Sequence, residues 1–215
     1  MQTIHWQEAH HIGYFCLSSP PDNRMSSIFF NELHVLTTQI IPRSQVKAIV
    51  IYGRGRHFSA GADLNDLMNQ IRSRSFDEIY NHLECFYYFR RLHIPVIAAI
   101  RGVCIGAGLE LALFAHIKIC EKGAYLSLPE SSFDLLPGVG GIQNFFTGCG
   151  EARTIEYALS GDSFSPEVAR EMNLIDHITP KNQALKLSER LARFIMDDYN
   201  PLYIKENLNK LLATT

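Results

Sequence analysis

The chain has 215 residues, 47% hydrophobic and 20% charged, with 14 Gly and 9 Pro. That length buries one sizeable core, and the composition excludes a collagenous or low-complexity chain. With 20 Lys+Arg against 22 Asp+Glu the net charge is −2, and no long block of one sign points to nucleic acid or an anionic membrane. The opening residues Met1–Glu8 lack a basic segment followed by an apolar one, so no secretory signal is expected. In the most apolar region the longest uncharged run, Gly102–Leu109, is far too short to span a bilayer. Five cysteines (Cys16, Cys85, Cys104, Cys120 and Cys149) without a C-x-x-C pair predict free thiols and a cytoplasmic protein.

In chain order, Ile12–Leu17 reads as an apolar strand ended by the turn residues Ser18–Asn23. A helix capped by Ser26 or Ser27 runs to about Ile40, with Pro42 just beyond. Val46–Tyr52 is a β-branched strand closed by Gly53-Arg54-Gly55-Arg56, and Phe76–Leu92 repeats its apolar residues at helical spacing. Val96–Ile100 reads as a buried strand, Ala107–Phe114 as a helix entered through Gly102, Gly106 and Gly108, and Ile117–Cys120 as another strand. Helices are predicted over 140–147, 151–159, 165–172, 183–196 and 201–212. Strands alternating with helices predict an α/β protein with parallel pairing, organised as a core over 1–150 and a helical C-terminal region over 151–215.

Two strand-to-helix junctions carry candidate chemistry: His57-Phe58-Ser59-Ala60-Gly61-Ala62-Asp63-Leu64 and Gly102-Val103-Cys104-Ile105-Gly106-Ala107-Gly108-Leu109-Glu110. Small residues let backbone approach a ligand, and the first N–H groups of a helix lack internal partners, so two such junctions facing one pocket would stabilise an oxyanion. Neither matches a dinucleotide or P-loop fingerprint. Glu110 sits in an otherwise apolar helix, and Glu130 follows Leu126-Ser127-Leu128-Pro129. A carboxyl in apolar surroundings has its pKa raised, which suits general acid–base work. The nine histidines form no metal-binding spacing, and His57 reads as structural.

The ordered set F-S-A-G-A-D-L, then I-P-V-I-A-A-I-R-G-x-x-x-G-A-G-L-E-L-A, then P-E-x-x-x-D-L-L-P-G-V-G-G resembles the enoyl-CoA hydratase/isomerase (crotonase) superfamily. The similarity runs from about Ile12 to Lys205, and Leu159-Ser160-Gly161, Ala169-Arg170 and Asn173–Asp176 resemble the family's downstream helices. It implies a crotonase-like spiral of ββα units with a helical C-terminal region, assembled as a homotrimer or hexamer. It implies an acyl-CoA thioester substrate, or its acyl-carrier-protein counterpart. Coenzyme A enters only as part of the substrate, with no metal or other cofactor.

The resemblance carries an oxyanion hole onto the backbone N–H groups of Ala60 and Ala107, and the two catalytic carboxyls onto Glu110 and Glu130. Glu110 is the expected water-activating base and Glu130 the acid. Substrate contacts are expected at Arg24, Ser59, Ala62, Asp63, Leu64, Gly106, Pro129, Pro137 and Gly138, with Arg54 and Arg56 as further candidates for CoA phosphates. Some isomerases keep only the glutamate matching Glu130. Dienoyl-CoA isomerases and 3-hydroxyisobutyryl-CoA hydrolases carry Asp at the position of Gly138. Both features favour hydration here, with double-bond isomerisation, a dehydratase or decarboxylase on carrier-protein thioesters, and a non-catalytic acyl-CoA-binding protein as alternatives. Asp134 stands where the family usually has Gly, either as a turn aspartate or as a third active-site carboxylate. Many family members continue for a few turns beyond the position of Thr215, covering the acyl-CoA site and packing subunits. In the family, Leu67–Tyr88 borders the acyl pocket and contains Met68, Ile71, Phe76, Ile79 and Tyr80 here.

Overall fold

A computed structural model describes residues 1–73 and 76–197, and beyond them 200, 204, 207, 208, 210 and 212; the side chains of 70, 71, 73 and 76–80 are not described. The side chains of Ile71, Phe76, Ile79 and Tyr80, expected near the acyl pocket, are therefore outside the description, and much of the helix expected over 201–212 lies outside the described residues.

The central sheet has six strands: β1 (Ile4–Ala9), β2 (Ile12–Leu17), β3 (Ala48–Gly53), β4 (Val96–Ile100), β6 (Ile117–Glu121) and β9 (His177–Thr179), in the order β1-β2-β3-β4-β6-β9. Only β1 pairs antiparallel; the rest are parallel. β4 and β6 are buried along their whole length; β4 accordingly reads as a continuous apolar run, while β6 carries Lys118 and Glu121 into the interior. Alternation along the strands divides the core in two. Phe15, Ile49, Ile51, Ala98 and Ile100 face one side, where α1 (Ser27–Val35) brings Phe29 and Leu33 and α3 (Phe76–Arg91) brings Phe86 and Phe89. Ala48, Val50, Ile97, Ala99, Ile117 and Ile119 face the other, against Ala184, Leu191, Ala192 and Ile195 of α7 (Ala184–Ile195) and then Ile204, Leu208 and Leu212.

A second, three-stranded sheet in the order β5-β7-β8 positions the site: β5 (Val103–Ile105), β7 (Tyr125–Ser127) and β8 (Ser163–Phe164). β5 runs parallel to β7 with Ile105 opposite Ser127, so the segments that leave the two strands emerge side by side. One enters α4 (Ala107–Leu113), and the other enters a 3₁₀ turn, Pro129–Phe133. Glu110 and Glu130 are thereby brought to one end of the small sheet.

β1 was not expected, because its I-H-W-Q-E-A pattern is half polar, as suits an edge strand. β5, β7, β8 and β9 hold two or three residues each, too few to show periodicity. α2 (Leu64–Ser73) was also missed; the Asp63 carboxylate caps it by accepting from the N–H groups of Asn65 (3.0 Å) and Asp66 (3.2 Å). The two helices expected over 140–147 and 151–159 join as α5 (Gly141–Ser160), with Gly150 at φ 78° and ψ 178° breaking the axis between them. α6 (Pro166–Glu171) follows. No helix among the described residues is long and apolar enough to cross a membrane.

Candidate active site

The segment between β3 and α2 is held from beneath by Asn23. Its buried side-chain amide donates to the carbonyls of Arg54 (2.9 Å), His57 (2.9 Å) and Phe58 (3.2 Å). Ser59, expected to touch substrate, is buried and spends its hydroxyl inside this framework: it donates to Asn23 O (2.7 Å) and accepts from Gly61 N–H (3.1 Å). His57 is structural as anticipated, its Nδ1 accepting from Val103 N–H at 3.0 Å.

Ala60 cannot supply the expected oxyanion contact, because its N–H already donates to Asp22 O at 2.8 Å. Ala62, two residues on, is better placed. It forms a short parallel bridge with Met25 that uses Gly61 O and Asp63 N–H, so Ala62 N–H is not spent there. Gly61, at φ +82°, lies against the start of α4; a Cβ there would stand 2.9 Å from Ile105 O and 3.5 Å from Ala107 N. Gly106 turns into α4 at φ +52°, a conformation that favours glycine. Ala107 is the first residue of α4, so its N–H has no acceptor within the helix.

Two chambers meet at this point. The inner one, about 190 Å³, is lined by Ala62, Asp63, Ala107, Glu110, Glu130 and Gly138, with Met25, Phe30, Leu67, Leu135, Leu136 and Val139 supplying an apolar wall. The outer one, about 240 Å³, is lined by Arg24, Ala60, Leu64, Gly106, Pro129 and Phe133, and shares Ala62, Ala107 and Glu130 with the inner. Of the residues expected at the site, Ser59, Pro137, Arg54 and Arg56 line neither chamber. Arg24 pairs with Asp22 at 3.0 Å at the outer opening. Arg54 reaches Ser18 Oγ (3.3 Å), and Arg56 lines a separate groove with Arg101, Lys122 and Lys181. Asp134 is a turn residue, not a third active-site carboxylate: it is exposed, lines neither chamber, and closes the 3₁₀ turn at φ 57° and ψ 31°, the left-handed region where Gly or Asp is favoured.

Glu110 is 1% exposed. Its Oε1 accepts from Val139 N–H (3.0 Å) and Gly141 N–H (2.7 Å), so Pro137-Gly138-Val139-Gly140-Gly141 and the N-terminus of α5 wrap around the carboxyl. Glu130 Oε2 is buried and has no hydrogen-bond partner among the described residues. Burial, then the neighbouring Glu130, pushes Glu110 up to about 8, against the pull of its two N–H donors. Burial pushes Glu130 up to about 7. Values so close do not assign the proton to either carboxyl; near neutrality the pair holds one proton between them. Two N–H donors fix the Glu110 carboxyl in place, whereas Glu130 Oε2 has no partner among the described residues and is free to face a substrate.

The family model for enoyl-CoA hydratase/isomerase matches residues 7–212. The chain belongs to the enoyl-CoA hydratase/isomerase family. It is 33% identical over 177 residues to a probable enoyl-CoA hydratase of Bacillus subtilis (strain 168), covering 80% of this chain and 67% of that one. It is 32% identical over 199 residues to the fatty acid oxidation complex subunit alpha of Shewanella frigidimarina, covering 90% of this chain and 28% of that far longer protein. A Thermobifida fusca YX protein solved in complex with CoA superposes with a TM-score of 0.83 at 25% identity, covering 99% of this chain and 85% of that one. The ββα architecture expected from the motifs is therefore the fold of this enoyl-CoA hydratase/isomerase family member. Met25, Phe30, His82, Leu135 and Leu136 line its inner chamber without having been anticipated. His82 falls in the Leu67–Tyr88 segment and Leu135 and Leu136 in the motif after Glu130, but no feature of the sequence singled them out there; Met25, just before α1, and Phe30, within α1, lie outside every motif.

Proposed function

We propose that the protein adds water to trans-2-enoyl-CoA thioesters, giving 3-hydroxyacyl-CoA. The observation that carries this reading is the pair of carboxyls, the buried Glu110 and the half-buried Glu130 with its buried Oε2, lining one chamber together with Ala62 and Ala107. The thioester carbonyl sits where the chambers meet and accepts from the N–H groups of Ala62 and Ala107, with CoA in the outer chamber and the acyl chain in the inner. The CoA complex of the Thermobifida fusca relative supports binding of a CoA thioester. Charge that builds on the thioester oxygen during addition is stabilised there, and one such donor is worth ~10²–10³ in rate.

Glu110 takes a proton from water as the hydroxyl adds to the β-carbon, and Glu130 gives its proton to the α-carbon. The pair ends with its one proton on the other carboxyl, and exchange between the two resets it. The reaction balances with no redox or metal group, and coenzyme A enters only as part of the substrate. Exposed Leu136, Ile142 and Phe146 support self-association as a homotrimer or hexamer. Five free thiols support a reducing, cytoplasmic setting.

The test is the loss of conjugated enoyl-thioester absorbance on adding protein, for the wild type beside Glu110→Gln and Glu130→Gln. Each substitution is expected to cost ~10²–10⁴ in kcat. If Glu130→Gln alone matters, and a 3-enoyl thioester is the better substrate, isomerisation by Glu130 replaces hydration.

A further inference from the structure

The inner chamber shares a wall with a third, more polar cavity of about 260 Å³, to which Asn31, His34 and Asn81 contribute. Ser27, Phe30 and His82 line both. The rings of Phe30 and His82 stack with centroids 3.7 Å apart and an interplanar angle of 13°, and Phe30 is anchored behind by an edge contact with Phe29 at 5.4 Å. This stacked pair stands where an apolar cavity holding the two glutamates adjoins a more polar one, and it lines both.

His82 has no part in the hydration chemistry. Burial alone lowers its pKa, to about 4, and neither glutamate contributes. The imidazole is therefore neutral at working pH, with one N–H donor and one bare nitrogen acceptor. Neither ring nitrogen makes a hydrogen bond among the described residues. Nearby, the Asp66 carboxylate is occupied by Ser27, accepting from its N–H (2.7 Å) and its hydroxyl (2.9 Å), and it too lines the inner chamber. An alkyl chain laid against His82 shields the donor and acceptor from water without replacing their hydrogen bonds, whereas a hydroxyl or carbonyl replaces one. A terminal carboxylate meets a neutral ring and the negative charge of Asp66.

We propose that Phe30, His82 and the cavity beyond them form a distal subsite selecting enoyl thioesters whose acyl chain ends in an uncharged hydrogen-bonding group, a hydroxyl or a carbonyl. This rests on the acyl-thioester reading of the two chambers. The matched probes are a medium-length trans-2-enoyl-CoA, its ω-hydroxy counterpart and its ω-carboxy counterpart, with kcat/KM measured on each. The wild type should favour the ω-hydroxy thioester over the plain one by about tenfold, and the ω-carboxy thioester should be the poorest. His82→Phe, which keeps a ring on Phe30, should bring the ω-hydroxy to plain ratio close to one. His82→Asn restores a donor and an acceptor and should recover part of the preference.

A wild-type ratio of one, or a ratio unchanged in His82→Phe, overturns the subsite and leaves hydration standing. If no thioester is hydrated, the proposed reaction fails instead. The subsite is then decided by calorimetric Kd values for the saturated ω-hydroxyacyl-CoA and acyl-CoA, where the same ratio must appear and must fall in His82→Phe.

Discussion

Among the described residues, two pairs of ionisable groups removed from water are treated in opposite ways. At the β6–β9 seam, Lys118 Nζ meets Asp176 Oδ2 at 2.8 Å, with side chains 8% and 10% exposed, and the same carboxylate oxygen accepts from Lys118 N–H. Opposite charges face each other and the backbone completes the arrangement, so the pair adds rigidity and little reactivity. At the end of the small sheet, two carboxyls face one cavity with no salt bridge to a cation, and Glu130 Oε2 has no partner among the described residues. Burial with a matched partner keeps groups in their ordinary charge state, whereas burial beside a like group makes one of them hold a proton near neutrality. The fold satisfies its polar groups where it needs strength and leaves them strained where it needs proton transfer.

Three measurements sharpen or break that contrast. The largest expected effect comes from Ala107→Pro. The first position of a helix tolerates proline, which removes only the N–H that the helix does not use. Turnover should fall ~10²–10³-fold while the circular dichroism spectrum and Tm stay close to wild type. Retained turnover would remove Ala107 from the oxyanion site.

Next is Asp176→Asn, which withdraws the carboxylate from Lys118 and should cost about 3 kcal/mol of stability in urea unfolding. The glutamate pair behaves the other way. Both carboxyl pKa values lie above the unfolded value of about 4.3, so the folded state binds protons that the unfolded state has released. Their contribution to stability is whole below that value and drains away as pH rises through about 7 to about 8. Glu110→Gln should therefore stabilise the protein by about 2 kcal/mol near pH 8 and far less near pH 5, read as Tm at the two pH values. A Glu110→Gln protein less stable than wild type near pH 8 would mean that Glu110 is not held against its ionisation.

Glu110 was legible in the sequence because an acidic residue inside Leu109–Phe114 conflicts with its apolar neighbours, and such conflict marks function; Glu130, in a loop, was legible only through the family resemblance. β2, β3 and β4 were legible for the complementary reason, as short runs of mostly apolar residues. The choice between Ala60 and Ala62 was not. Both are alanines in one small-residue loop, and what separates them is that the N–H of Ala60 is taken by a carbonyl far back in the chain, at Asp22. β5 and β7 escaped notice likewise, since a three-residue strand exists only through its partner. The stacked Phe30 and His82 come from helices separated in sequence by the whole of β3 and α2, and nothing local to either residue announces the other.

The Asn23 clamp has a consequence for how activity is acquired. Its amide grips carbonyls 31, 34 and 35 residues downstream, contacts whose loop-closure cost is met only once β2 has docked on β3. Before that point a nascent chain lacks the frame that holds Ala62 beside Ala107. Catalytic competence is thus a late event in folding: turnover regained on refolding should trail the recovery of helical signal, and a chain arrested early should be inert.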